Sequence, residues 1–221
     1  VRYLFYDLDD TLVRTTDHWL AAATAYLARR NLTVEEKSIY RFLGKNCKDI
    51  CLDIAAHYEN TLIGGIDACA EEFRNYLRLQ HINSPAIEIP GATDFLRMMS
   101  RTAIQCVASG SPMDIIERII TDHGWGSHIT HFVTSEAVSN GKPDPEIYDN
   151  LRQSCHADPD DCLIFEDSPA GIEAASRAGI RCVVINPKFP TLIQNNIIAV
   201  ANDFTDLVGQ PDWNRVMHDF L

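Results

Sequence analysis

The chain has 221 residues, 46% hydrophobic and 23% charged, with a formal net charge of −12 at pH 7. That length suits one medium domain or a core domain with a small insert, and the composition excludes a disordered or fibrous chain. No run of about 18 apolar residues occurs, so no membrane partner is expected, and the acidic balance speaks against nucleic acid as a partner.

The first apolar run, Arg2–Tyr6, reads as a buried strand. From about Thr15 to Ser84 the pattern is helical instead, over Asp17–Arg30, Val34–Phe42, Cys47–Tyr58 and Ile66–Leu79, with no strand between them. A helical insert after the first strand is therefore expected. Its crossings fall near Arg14–Thr16 and Ser84–Pro90, where Ser84-Pro85 and Pro90-Gly91 punctuate the chain. Four further strands are expected at Ala103–Ala108, Ile129–Thr134, Cys162–Phe165 and Arg181–Ile185. Helix starts lie between them. Ser111-Pro112 offers a cap and a proline at the first helical position, with Asp114 in the first turn. Asp144-Pro145-Glu146 and Ser168-Pro169 repeat the device, and the last of these helices is expected to end at Gly179. Asp212–Leu221 reads as a final helix, packed on the core or on a second subunit. Strand alternating with helix implies an α/β fold with a parallel sheet covered on both faces.

The chain opens on only a few apolar residues before Asp7, which does not read as a secretory leader. Seven cysteines with no Cys-x-x-Cys pair signal neither a disulfide framework nor a zinc knuckle. Cys106, Cys162 and Cys182 lie in apolar runs, where a thiol acts as a small hydrophobe. A reducing, cytoplasmic setting is expected. His123, His128 and His131 are close in sequence but lack the spacing of a one-face metal pair, and read as surface histidines.

Chemistry concentrates at strand ends. Asp7-Leu8-Asp9-Asp10 places three carboxylates within four positions directly after the first strand, and Glu166-Asp167 repeats the arrangement after Cys162–Phe165. In an open parallel sheet, ligands bind beyond the carboxyl ends of strands. Crowded carboxylates there repel unless a cation neutralises them, and a hard divalent ion, Mg²⁺ in particular, suits oxygen ligands. Ser109-Gly110-Ser111 follows another strand, with a hydroxyl and small residues whose backbone N–H groups can approach an anion. Lys142 stands on a loop and can neutralise a phosphate.

This ordered set resembles the haloacid dehalogenase superfamily. Asp7-Leu8-Asp9-Asp10-Thr11 looks like its first motif, Ser109 its second, Lys142 its third and Glu166-Asp167 its fourth. The resemblance spans roughly Tyr3 to Ile185. It implies a Rossmann-like core (1–14 and 86–221) with a helical cap domain (15–85) inserted after the first strand. It further implies Asp7 as nucleophile, Asp9 as proton donor and then acceptor, and Thr11, Ser109 and Gly110 around the phosphoryl oxygens. Lys142 would neutralise charge there. Mg²⁺ would be held by Asp7, Asp9 (through its backbone carbonyl) and Asp167, with Glu166 as a ligand or as a partner of one. Asp10 often corresponds to glycine in relatives and is expected only to fix the turn. Phe42-Leu43-Gly44-Lys45-Asn46 resembles the cap loop that enters the site, which makes Gly44, Lys45 and Asn46 candidates for substrate contact.

The expected activity is Mg²⁺-dependent hydrolysis of a small phosphomonoester, a sugar or polyol phosphate, by a monomer or weak homodimer. An Asp two residues after the nucleophile implies phosphomonoester hydrolysis or mutase chemistry. β-Phosphoglucomutase is the main rival. Its His twelve residues after the nucleophile corresponds here to Trp19, with His18 one place earlier, and its cap-loop Arg corresponds to Cys47. A nucleotide monophosphatase, with Trp19, Tyr40 and Phe42 as a base platform, and a catalytically silent binding protein are further alternatives.

Overall fold

A computed structural model describes residues 1–33, 42, 44–187 and 194–220. Six parallel strands form one sheet: β1 (Tyr3–Tyr6), β4 (Ile104–Ser109), β5 (His131–Thr134), β6 (Cys162–Glu166), β7 (Arg181–Ile185) and β8 (Ile197–Ala201). Their spatial order is β5-β4-β1-β6-β7-β8, which sets β1 in the middle. Side chains alternate across it. Leu4 and Tyr6, Leu163 and Phe165, and Val183 and Ile185 enter one apolar cluster, while Phe5, Cys106, Ile164, Cys182 and Val184 enter another on the opposite face. Continuous apolar strands such as Leu163-Ile164-Phe165 are what a sheet buried on both faces requires.

The α/β expectation is met, and the five expected strands all occur. β8 is an addition: an edge strand of partly exposed residues, followed by Asn202 rather than by glycine or proline. Two further strands, β2 (Val13–Arg14) and β3 (Ile87–Glu88), are too short for a period of two to register. They pair antiparallel, Val13 with Glu88 and Arg14 with Ile87. These are the two crossings of the helical segment, held side by side, and Ile89 N–H donating to Leu12 O at 2.9 Å extends the pairing.

Between β2 and β3 lie α1 (Thr16–Ala28), α2 (Cys47–His57) and α3 (Ile66–Asn83). The expected helix over 34–42 lies, apart from Phe42, outside the described residues. Later come α4 (Ala92–Met99), α5 (Met113–Asp122), α6 (Glu146–Ser154), α7 (Pro169–Arg177), α8 (Phe204–Gly209) and α9 (Trp213–Phe220). The last helix buries Trp213, Met217 and Phe220 on the chain's own core, not on a second subunit. Among the described residues no helix is long and apolar enough to cross a membrane.

The helix starts follow their sequence cues unevenly. Ser168 caps α7, accepting from Gly171 N–H at 3.0 Å with Pro169 at the first position, and Gly179 leaves that helix at φ +69°. Asp144 accepts from Glu146 N–H at 3.0 Å at the start of α6. Ser111 departs from expectation. Pro112 at ψ 150° lies outside the helical region, α5 starts at Met113, and the Ser111 hydroxyl turns away from the helix. Asp10 ties its turn as expected. At φ +63° its carboxylate accepts from Thr15 N–H, Thr16 N–H and the Thr16 hydroxyl.

His18 of α1 and His81 of α3 stack beside the crossing, with centroids 4.4 Å apart and planes 16° apart, and His18 Nε2 donates to Ser84 O at 2.7 Å. Burial first, and His18 second, lower His81 from 6.5 to about 4. The unfolded chain then takes up a proton that the folded chain refuses between those values. Stability is expected to fall as pH drops from 6.5 toward 4, by about 1.4 kcal/mol per unit. Urea unfolding at pH 7.5 and pH 5 reads this, and His81→Phe, which keeps the stack without the titration, should flatten the difference.

Candidate active site

The site is built by the central position of β1. Its neighbours are β4 and β6, so the residues at the carboxyl ends of three adjacent strands meet: Asp7 just after β1, Ser109 closing β4, and Glu166 closing β6 with Asp167 after it. Asp7 N–H donates to Phe165 O at 3.0 Å, which extends the β1–β6 ladder to the carboxylate itself. Lys142 arrives from the loop between β5 and α6. Asp7, Thr11, Ser109, Lys142, Glu166 and Asp167 are all buried.

Lys142 Nζ lies 2.6 Å from Asp7 Oδ1, 2.6 Å from Glu166 Oε1 and 3.2 Å from Ala108 O. Burial alone would lower the lysine, but the Asp7 and Glu166 charges outweigh it and hold Lys142 above its ordinary value, so it is charged. Asp7 is pushed well up by burial, and the pull of Lys142 does not cancel that push. Three buried carboxyl groups therefore crowd around one lysine, and a cation beside them would favour their ionised forms. Asp7, Glu166 and Asp167 each offer an oxygen within 4.8 Å of the others, a donor set that fits a hard divalent cation. Thr11 Oγ1 lies 3.5 Å from Asp167 Oδ1.

Within that set Glu166 is the most occupied. Its Oε1 accepts from Lys142 and from the Tyr148 hydroxyl at 2.7 Å, and its Oε2 accepts from Asp167 N–H, Ser168 N–H and the Ser168 hydroxyl. Both oxygens are satisfied by protein groups, which suits an orienting partner better than a ligand. Gly171 makes room for it, since a Cβ there would overlap the Glu166 carboxylate.

Asp9 stands apart from this cluster. Its Oδ1 accepts from the Thr15 hydroxyl at 2.8 Å and from Trp19 Nε1 at 2.9 Å. Its Oδ2 accepts from the Ser109 hydroxyl at 2.9 Å and the Ser111 hydroxyl at 2.8 Å. Four donors hold one carboxylate, so the Asp9 side chain is engaged away from the cation cluster. This is also why Ser111 is not a helix cap. Thr15, Ser111, Tyr148 and Gly171 are partners that sequence reasoning missed, and Trp19 was considered there against the mutase His and as part of a base platform, not as a partner of Asp9. A hydroxyl two places after Ser109 was the one available signal.

A cavity over Asp7 is lined by Asp9, Trp19, Gly44, Lys45, Gly110 and Asp167, together with Phe42. The loop before α2 thus reaches the strand ends, although Leu43 lies outside the described residues. Two glycines permit the approach. Gly44 has φ +76°, and a Cβ there would meet Ser168 Oγ at 2.6 Å. A Cβ on Gly110 would lie 3.1 Å from Lys45 O. Lys45 lies 3.5 Å from Asp53 in an ion pair. Asn46 serves the helix, with its side-chain oxygen accepting from Asp49 N–H at 2.9 Å and its amide donating to Asp49 at 2.8 Å. Lys48 pairs with exposed Asp67 at the surface.

The haloacid dehalogenase-like hydrolase model matches residues 4–185. The chain belongs to that family. It is 32% identical to a validoxylamine A 7′-phosphate phosphatase of Streptomyces hygroscopicus subsp. limoneus, over 80% of this chain and 82% of that one. It is 29% identical to hexitol phosphatase A of Escherichia coli (strain K12), over 91% of each. Among solved structures, CbbY from Rhodobacter sphaeroides superposes with a TM-score of 0.83 at 19% identity, over 94% of this chain and 96% of that one. A β-phosphoglucomutase from Clostridium difficile gives 0.82 at 18%, over 100% and 97%. At those identities the two structures speak for the fold. With the family and its phosphatase relatives, the chain is an enzyme of the phosphatase type.

Gly171→Ala is expected to displace Glu166 and free one end of Lys142. Forced overpacking of this kind costs about 1–3 kcal/mol, so a lowered melting temperature together with lost turnover is the expected result.

Proposed function

We propose that this enzyme hydrolyses a small phosphomonoester, a sugar or polyol phosphate, with Mg²⁺, through a phosphoryl group carried on Asp7. The observation that carries the reading is the 2.6 Å contact between Lys142 and Asp7, at a strand end shared with two more buried carboxylates. Phosphoryl transfer asks chiefly for charge neutralisation and in-line placement, and this arrangement is suited to both.

In the proposed reaction an Asp7 oxygen attacks phosphorus and the ester P–O bond breaks. Asp9 passes a proton to the departing oxygen. Water then attacks the phosphorus of the aspartyl-phosphate, returns a proton to Asp9, and inorganic phosphate leaves as the Asp7 carboxylate re-forms. Thr11, Ser109 and the Gly110 backbone hold phosphoryl oxygens, and Lys142 stabilises charge on Asp7 and on the transferred group. Mg²⁺ held by Asp7, the Asp9 carbonyl and Asp167 would supply neutralisation of the crowded oxygens. Glu166 orients Lys142 and the Asp167 backbone. The helices between β2 and β3 act as a cap that excludes water and brings Gly44 and Lys45 to the leaving group.

Two observations support hydrolysis over mutase chemistry. His18 is engaged at the crossing with His81 and Ser84, and Cys47 is buried in the first turn of α2. The sugar or polyol class is supported by the activities for which the two relatives are named, on validoxylamine A 7′-phosphate and on hexitol phosphates.

The test is phosphate release from a panel of glucose 6-phosphate, sorbitol 6-phosphate, β-glucose 1-phosphate, AMP and p-nitrophenyl phosphate, with Mg²⁺ or EDTA. Release should require the metal, and Asp7→Asn should lower it by at least about 10³-fold with the fold retained. Near-normal turnover in that variant would remove Asp7 as nucleophile. Lys45→Ala should change discrimination among the sugar phosphates more than it changes p-nitrophenyl phosphate hydrolysis, and equal losses on both would place Lys45 outside the leaving-group subsite.

A further inference from the structure

Asp9 accepts from four side-chain donors on its two oxygens, and the four are not equivalent. The hydroxyls of Thr15, Ser109 and Ser111 can donate or accept by rotating. The Trp19 indole N–H can only donate, and it points at Oδ1 from 2.9 Å. Oδ1 must therefore remain an acceptor in every protonation state that keeps this contact. A proton on Asp9 then belongs on Oδ2, the oxygen beside Ser109 and Ser111.

Trp19 is itself well fixed. It is 6% exposed, sits in the second turn of α1, packs against Phe73 of α3 with ring centroids 6.1 Å apart, and lines the cavity over Asp7. We infer that Trp19 is a positioning residue for proton transfer. Its donor-only contact turns Asp9 so that Oδ2 carries the proton to the leaving oxygen, and it ties that orientation to the packing of the helical segment. The inference rests on the phosphoryl-transfer reading above. Atoms balance as in that reaction: the proton leaves Oδ2 as the ester P–O bond breaks, and Trp19 keeps its own proton throughout.

The consequence depends on the leaving group. An alkoxide needs a proton as it departs, whereas p-nitrophenolate departs as a stable anion. kcat/KM reports only steps up to cleavage of the ester bond, so the later hydrolysis of the aspartyl-phosphate does not enter it. Two changes remove the N–H: Trp19→Phe, and site-specific replacement of Trp19 by 3-benzothienylalanine, which keeps the indole shape with sulfur in place of N–H. Each is compared with wild type on p-nitrophenyl phosphate and on the fastest alkyl phosphate of the panel. kcat/KM for the alkyl ester should fall about tenfold, the scale of one charge-assisted hydrogen bond. The aryl ester should change by less than about twofold, because it needs no general acid.

Equal losses on both esters, or an unchanged alkyl ester, in the benzothienyl protein would overturn the inference, because that replacement removes the donor while keeping a bicyclic ring in place. If Trp19→Phe fails to fold, the isostere alone decides. Wild-type protein that releases phosphate from neither ester would instead overturn the phosphatase reading, which separates the two failures.

Discussion

Everything at this site depends on a lysine buried between two carboxylates. Lys142 is held by Asp7 and Glu166 at 2.6 Å each, in a region from which water is largely excluded. Burying one charge without its partners would be prohibitive. The surrounding structure is arranged to keep all three satisfied: Ala108 O takes a further Lys142 proton, Tyr148 and Ser168 donate to Glu166, and Gly171 leaves space for the carboxylate. Beside it Asp7, Glu166 and Asp167 crowd their oxygens within 4.8 Å of one another, a donor set that fits a hard divalent cation.

The helical segment is coupled to that centre by short-range contacts. β2 and β3 bring its two ends together as a paired crossing. Gly44 and Lys45 meet the strand ends, where Gly44 and Gly110 lack side-chain bulk. On the outer side, Arg78 of α3 pairs with Asp114 of α5 at 2.7 Å and Arg74 lies 3.9 Å from Glu136. These pairs are partly exposed, and each is worth little on its own. The segment is also packed on the sheet side, where Trp19, Tyr26 and Phe73 share one buried apolar cluster with Leu8 and Leu12.

Much of this was legible in the residues. Asp7, Ser109 and Glu166-Asp167 each follow a short apolar run, and a buried parallel sheet has few other ways to end a strand. Ser168-Pro169 and Gly179 marked the limits of α7 because capping is a local matter of backbone geometry. Ser111 misled for the same reason. The same hydroxyl that makes a good cap makes a good donor to Asp9, and only the fold decides which partner is nearer. Trp19 carried no signal of its own, because indole N–H groups bond whatever the packing presents. β8 and the β2–β3 pair went unread because an edge strand is half exposed and a two-residue strand has no period.

By itself, the sequence determined the alternation of strand and helix, the order of the chemical residues along the chain and the insertion of a helical segment after β1. Those follow from side-chain period, caps and strand-end polarity, which act over a few residues. The tertiary structure alone decided that β1 lies between β4 and β6, that Glu166 is spent on Lys142, Tyr148 and its neighbouring backbone, and that Asp9 is held by Trp19, Ser109 and Ser111. Such choices among partners depend on how distant elements pack, and a pair such as Asp9 and Ser109, 100 residues apart, leaves no trace in local pattern.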